Sequence, residues 1–163
     1  MAPILSQKIH RAALPSAAFD SVELTYDGRF LRRKALTARG GTRFLVDLAH
    51  TTSLDHGDAF ELEDGRLIEV VAADEDLLEV TAPDLVRIAW HVGNRHTPCQ
   101  IEPDRLVIQR DHVIRKMLQQ IGAEVHEITA PFRPEGGAYG HGRTHGHDHV
   151  DAHGHRHDHD HAH

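Results

Sequence analysis

The residues with the most evident chemistry lie at the end of the chain. "HGRTHGHDHVDAHGHRHDHDHAH" (141–163) holds ten of the 17 histidines in a sequence of 163 residues. A neutral imidazole nitrogen is a ligand of intermediate softness suited to nickel, copper and zinc, and histidines two apart in an extended chain can share one ion. Such pairs recur at His145/His147, His147/His149 and His153/His155, and onward to His163. A purification tag would be an unbroken histidine run, whereas these are interleaved with Asp and Gly; a solubilising low-complexity tail is the other alternative. Composition does not choose the metal, since divalent affinity follows one general order with copper the tightest. It does set a pH response. Free histidine titrates near pH ~6.5, so acidification moves the segment from about −2 toward about +8, and protons displace ions from nitrogen. With Val150 as its one branched aliphatic side chain, the segment has little to bury against the entropy of ordering, and the expectation is disorder.

Seven histidines precede it. His10, His50, His56 and His126 have no ligand-spaced neighbour and read as surface or packing residues. "WHVGNRHTP" is different: it puts His91 on a helix and His96 just past a Gly93-Asn94 stop, in a turn ahead of Pro98. A turn histidine can be exposed and able to coordinate, yet one body histidine cannot close a four-ligand site, so His96 would need symmetry-related copies or tail residues. On spacing alone, an ordinary exposed histidine near a turn accounts for His96 better. His112 follows a helix N-cap, Asp111, where the helix dipole keeps an imidazole neutral and able to ligate while disfavouring a nearby cation. It is a secondary candidate.

Motifs of catalysis are missing from the sequence: no GxSxG, no phosphate-binding loop, no glycine-rich dinucleotide turn and no His-Glu-x-x-His zinc motif. The single thiol, Cys99, shows no activating arrangement and rules out an internal disulfide, which fits a reducing compartment. Net charge is −7, of which the tail carries −2; a body that acidic argues against nucleic acid, which needs a basic face. No run approaches 20 apolar residues and the first 20 lack a signal-peptide core, so a soluble cytoplasmic protein without membrane partners is expected.

The elements that must position these groups fall into two patterns. Up to about Ala73, apolar residues alternate with polar ones at Val22, Leu24 and Tyr26, at Phe44, Val46 and Leu48, and at Phe60 and Leu62. Asp64-Gly65 reads as a two-residue hairpin turn before "LIEVV". The expectation is a small all-β domain over 1–74. "AADED", with Asp74, Glu75 and Asp76, reads as a solvated linker. "LLEVTA" (77–82) then reads as a strand. A helix starts near Pro83 with Leu85, Ile88, Ala89 and Val92 on one face, followed by strands at "CQI" and "RLVIQ". A second helix, capped by Asp111, carries Val113, Ile114, Met117, Leu118 and Ile121 and closes at Gly122; "EVHEITA" is the last strand. The fold class is therefore α+β, with a ferredoxin-like βαββαβ domain at 75–140. "PFRPEGGAYG" reads as an exit segment that releases the tail at 141–163.

"WHVGNRHTPCQIEPDRLVIQRDHVIRKMLQQIGAEVHEITAPFRPEGGAYGHG" resembles the second half of the urease accessory protein E family, nickel metallochaperones that help assemble the urease active site. "GNRH", "DHV", "ML", "G" and "PF.PE.GAYG" stand in the family's order and spacing, and "LDHGDAFELEDGRLIEVVAADEDLLEV" is similar to its first domain. The resemblance implies a homodimer whose N-terminal domain contacts polypeptide. It implies that His96 binds nickel at the dimer interface, one copy from each subunit, and that His141, His145 and His147 complete the coordination while the longer tail, from His149 on, holds further ions. Some members carry another histidine two residues before that of "DHV"; Arg110 stands there in this chain, so a peripheral pair with His112 is not carried over.

The reading is then a cytoplasmic homodimeric non-enzyme. It collects Ni²⁺ on its tail and passes it to the urease apoprotein complex through the accessory GTPase, with Zn²⁺ and Cu²⁺ also able to bind. A store of nickel, zinc or copper without a client is the rival from another class. A metal-dependent hydrolase is a third, and would need an open metal position beside a general base.

Overall fold

The computed structural model describes residues 2–137. Its first half is a six-stranded sheet of β1 (Ile4–His10), β2 (Asp20–Leu24), β3 (Phe30–Thr37), β4 (Arg43–Ser53), β5 (Ala59–Leu62) and β6 (Leu67–Ala72), in the order β2-β6-β5-β1-β4-β3. Alternation along β4 buries Phe44, Val46 and Leu48, and these meet Phe60 and Leu62 of β5 and Ile68 and Val70 of β6 in one apolar cluster. The Phe44 and Phe60 rings pack tilted, 5.7 Å between centroids. The hairpin between β5 and β6 has three loop residues rather than two. Leu62 N–H donates to Arg66 O at 2.8 Å, Gly65 N–H donates to Leu62 O at 2.8 Å, and only Gly65 takes a positive φ, 88°. Asp64 instead uses its carboxylate, accepting from Arg66 N and Nε, which holds its carboxyl below the ordinary carboxylate pKa.

The second half runs β7 (Asp74–Thr81), α1 (Leu85–Asn94), β8 (Cys99–Ile101), β9 (Leu106–Gln109), α2 (His112–Gln120) and β10 (Glu124–Pro131). The four strands lie in the order β10-β7-β9-β8, each pair antiparallel, which is the split βαβ arrangement. Both helices start on an aspartate: Asp84 accepts from Arg87 N at 3.2 Å, and Asp111 from Val113 N at 2.8 Å and Ile114 N at 3.1 Å. Gly122 follows the last turn of α2 with φ 95°, the left-handed position that glycine fills without strain. Ile88, Val92 and Leu118 seal the helices onto Leu78, Val80, Leu106 and Ile108. Val113, expected on the buried stripe, is 55% exposed. It sits in the first turn, one step round from the face that Ile114, Met117, Leu118 and Ile121 turn to the sheet.

The acidic stretch at 74–76 is not a linker. Asp74, Glu75 and Asp76 open β7 and pair with Pro131, Ala130 and Thr129 of β10. The main-chain ladder needs no apolar side chain, so strand pairing overrides the polar composition. Glu75 also accepts from Tyr26 N at 2.8 Å, tying this strand to the first half. A small cluster of Tyr26, Leu77, Val107 and Phe132 fills the junction, with Tyr26 edge-on to Phe132 at 5.4 Å. Beside it the Arg29 guanidinium, 2% exposed, donates to the carbonyls of Leu24, Leu54 and Phe132, two from the first half and one from the segment after β10. A buried cation needs such acceptors to replace its hydration.

Candidate metal centre

Helix α1 ends at Asn94, at the Gly93-Asn94 stop expected, and His96 rather than glycine takes the left-handed residue past the end, with φ 56°. His96 N–H donates to Gly93 O at 3.0 Å and Thr97 N–H to Val92 O at 3.4 Å, the paired bonds of a Schellman ending. A side chain with a Cβ pays about 1–2 kcal/mol for this conformation, which is why glycine usually fills it. His96 is exposed there, at the tip of the turn. Strain at one residue, held by two backbone bonds, fixes where the imidazole leaves the helix.

Two neighbours bear on what can gather at His96. The outer face of α1 carries Val86, 82% exposed, and Trp90, 64% exposed, one turn apart and pointing away from the stripe that packs on the sheet. The Trp90 ring stands edge-on to His91 at 5.0 Å. On the other side, the segment after β10 does not leave the domain as its Pro and Gly content suggests. Phe132 is fully buried, Arg133 N–H donates to the Gln100 side chain at 2.8 Å, and Glu135 N–H donates to Cys99 O at 2.8 Å. Residues 133–135 thus lie along β8 beside Gln100 and Cys99.

Cys99, between this segment and the sheet, is poorly suited to ligation. Burial, then the neighbouring Glu135 carboxylate, pushes its thiol up from 9.0 to about 11, so it stays protonated at neutral pH. His112 opens α2 and is exposed. Arg110, where a companion histidine would stand, donates to Leu77 O and Ile128 O and lies 3.8 Å from both Asp76 and Glu127, a structural clamp between strands. Three of the other body histidines have local partners: His56 Nδ1 accepts from Ala72 N at 3.1 Å, and His10 and His126 lie near Glu61 and Glu124. Among the described residues no three His, Cys, Asp or Glu assemble into a group that could hold an ion. His141, His145, His147 and His149, with the tail at 141–163 and the disorder expected of it, lie outside the described residues. No helix among the described residues is long and apolar enough to cross a membrane.

Residues 2–73 match the family described as UreE urease accessory protein, N-terminal domain, and residues 75–163 match UreE urease accessory protein, C-terminal domain. The chain belongs to the UreE urease accessory protein family. It is 71% identical over 138 residues to the urease accessory protein UreE of Ruegeria pomeroyi, covering 85% of this chain and 93% of that one. The proteins of the same name from Rhodobacter capsulatus and Paracoccus denitrificans are 59% and 56% identical over 144 and 145 residues, spanning 85% and 88% of this chain and 92% and 91% of theirs. Membership in the UreE family makes this an accessory protein with a role in urease maturation. Sequence reasoning singled out His96 by its motif as a candidate ligand. It missed the exposed Val86–Trp90 face, whose only signal was that both residues fall off the buried stripe of α1.

Proposed function

We propose that this UreE-family chain is a cytoplasmic nickel metallochaperone rather than an enzyme, built as a 1–74 docking domain, a 75–140 metal and dimer domain and a collecting tail. Two copies pair through the Val86–Trp90 face of α1, which brings the two His96 side chains together. Apolar side chains this exposed, on a helix whose opposite face is buried, are what a partner surface looks like. His141, His145, His147 and His149 then supply the remaining nitrogens, and His112 is a secondary ligand. The ion is Ni²⁺, with Zn²⁺ and Cu²⁺ able to occupy the same donors. Ligands drawn partly from a segment outside the fold exchange one at a time. That suits hand-over to the urease apoprotein complex through its accessory GTPase.

The observation that carries this reading is His96 itself, an exposed imidazole held in a strained position where glycine would fit better. The run of 133–135 along β8 supports it. Glu135 N–H donates to Cys99 O, three residues from His96 in sequence; an extended chain rises about 3.3 Å per residue, so those three residues span at most about 10 Å while the six from Glu135 to His141 can reach about 20 Å.

The test is a nickel titration by calorimetry on two proteins truncated after Gly140, one intact and one His96→Ala. One ion per dimer, abolished by the substitution, supports a shared His96 site with the tail as collector. No binding in the truncated intact protein moves the metal chemistry into the tail and favours a client-free metal store.

A further inference from the structure

The segment after β10 is held more firmly than its composition predicts. "PFRPEGGAYG" (131–140) has two prolines and three glycines, the make-up of a loose exit. Three of the four residues 132–135 are nevertheless tied down. Phe132 is fully buried, Arg133 N–H donates to Gln100 Oε1 at 2.8 Å, and Glu135 N–H donates to Cys99 O at 2.8 Å. Pro134 between them has no N–H to give. The two bonds are two residues apart, the spacing of a chain laid along a sheet edge, and β8 is such an edge, paired as a strand with β9 alone.

One of the two bonds comes from a side chain, and that side chain is itself held in place. Gln100 Nε2 donates to Glu102 Oε2 at 3.1 Å, Arg105 Nε donates to the same oxygen at 2.9 Å, and Arg105 Nη1 donates to Glu79 Oε2 on β7 at 2.8 Å. Glu102 N–H also donates to Arg105 O at 3.0 Å, closing the turn between β8 and β9. Arg105, gripped by two carboxylates, thus sets Glu102, and Glu102 sets Gln100. The amide has one orientation that serves both neighbours, because the carboxylate needs its NH₂ and the Arg133 N–H needs its oxygen.

Taking the proposed nickel site as given, we infer that Gln100 is a positioning residue for it: oriented by Glu102 and Arg105, it holds 133–135 on β8, so that the tail departs on a short tether close to His96. Cys99 is three residues from His96 in sequence, and six residues lead from Glu135 to His141, the first of the proposed tail ligands. Without the Gln100 bond a single surface hydrogen bond remains at Glu135, which holds the segment poorly. The tether then lengthens to the nine residues from the buried Phe132 to His141. Closing nine residues rather than six onto one ion weakens binding by about twofold, and re-ordering the released residues adds to the loss.

The experiment uses the full-length chain and nickel at less than one ion per dimer, with a coloured chelator in competition so that the tightest site is read. Gln100→Ala is expected to weaken binding by about twofold to fivefold. The exchange Gln100→Glu with Glu102→Gln keeps a donor and an acceptor between the two positions and an oxygen for Arg133 N–H, and it restores the affinity. Glu102→Ala, which removes the support and leaves Gln100 in place, repeats the loss should Gln100→Ala disturb the edge. An insertion of about twenty Gly and Ser residues after Gly140 makes the released residues a small part of the tether, so Gln100→Ala then changes little. Equal loss with and without the insertion shows that Gln100 acts through the fold of β8 and overturns the inference. No loss in the chain of native length also overturns it, while a weakening by His96→Ala in the same assay leaves the nickel reading standing. If His96→Ala leaves the tightest site unchanged, that reading fails and the positioning role falls with it.

Discussion

Single residues in this protein carry costs that only their neighbourhood explains. His96 occupies a left-handed position that glycine would take without penalty, so His96→Gly is expected to raise stability by about 1 kcal/mol while removing the proposed ligand. Urea unfolding of the two proteins without metal measures the gain, and a loss of stability would show that the φ of 56° carries no strain. Cys99 argues in the opposite sense. Its thiol ionises near 11 when folded and near 9.0 when not, so the folded state holds its proton more tightly across that window. The resulting stability is complete below pH 9 and is lost as pH rises through about 11. At pH 8 the folded protein should alkylate with iodoacetamide roughly a hundredfold more slowly than the unfolded chain. Glu135→Gln, which removes the second cause of the shift, should speed it.

At the scale of elements, the helices are set by their own ends. Asp111 satisfies two first-turn N–H groups of α2, and Asp111→Ala is expected to cost about 1 kcal/mol, read as a shift in the urea midpoint at unchanged slope. The Asp111 cap and the Gly122 exit are legible in sequence because capping acts within one turn, whereas the start of α1 reads as Pro83 and its cap proves to be Asp84. The strands are not local in this way. β1 has polar residues at Ser6, Gln7 and Lys8 and no alternation, yet it sits inside the sheet between β4 and β5, with Ser6 fully buried and its hydroxyl donating to Glu61 O at 2.8 Å. β3 has four exposed residues in a row, and β7 opens on three acids. All three are strands because of the chains beside them.

For the whole molecule, the two halves are joined through Arg29 and Phe132. Arg29→Met leaves three carbonyls without their shared donor and should cost about 3 kcal/mol, measured by urea unfolding. The two-chain assembly is proposed to rest on Val86 and Trp90. Trp90→Glu should therefore convert a dimer to a folded monomer in sedimentation, since a side chain 64% exposed contributes little to the fold of one chain. A dimer that survives this change would place the pairing surface elsewhere and leave the two His96 side chains unconnected.

Read alone, the sequence determined the family through its ordered motifs, the two helices and the α+β class, and its composition is the ground for the metal binding proposed for the histidine-rich end. Each rests on composition or on spacings of a few residues, where local physics suffices. Only the tertiary structure decided that the polar β1 and the acidic start of β7 are strands and that 132–135 lie along β8. Those outcomes depend on backbone partners far along the chain. A hydrogen-bond ladder or a buried ring, such as Phe132 against Tyr26, can outweigh what a segment's own side chains prefer.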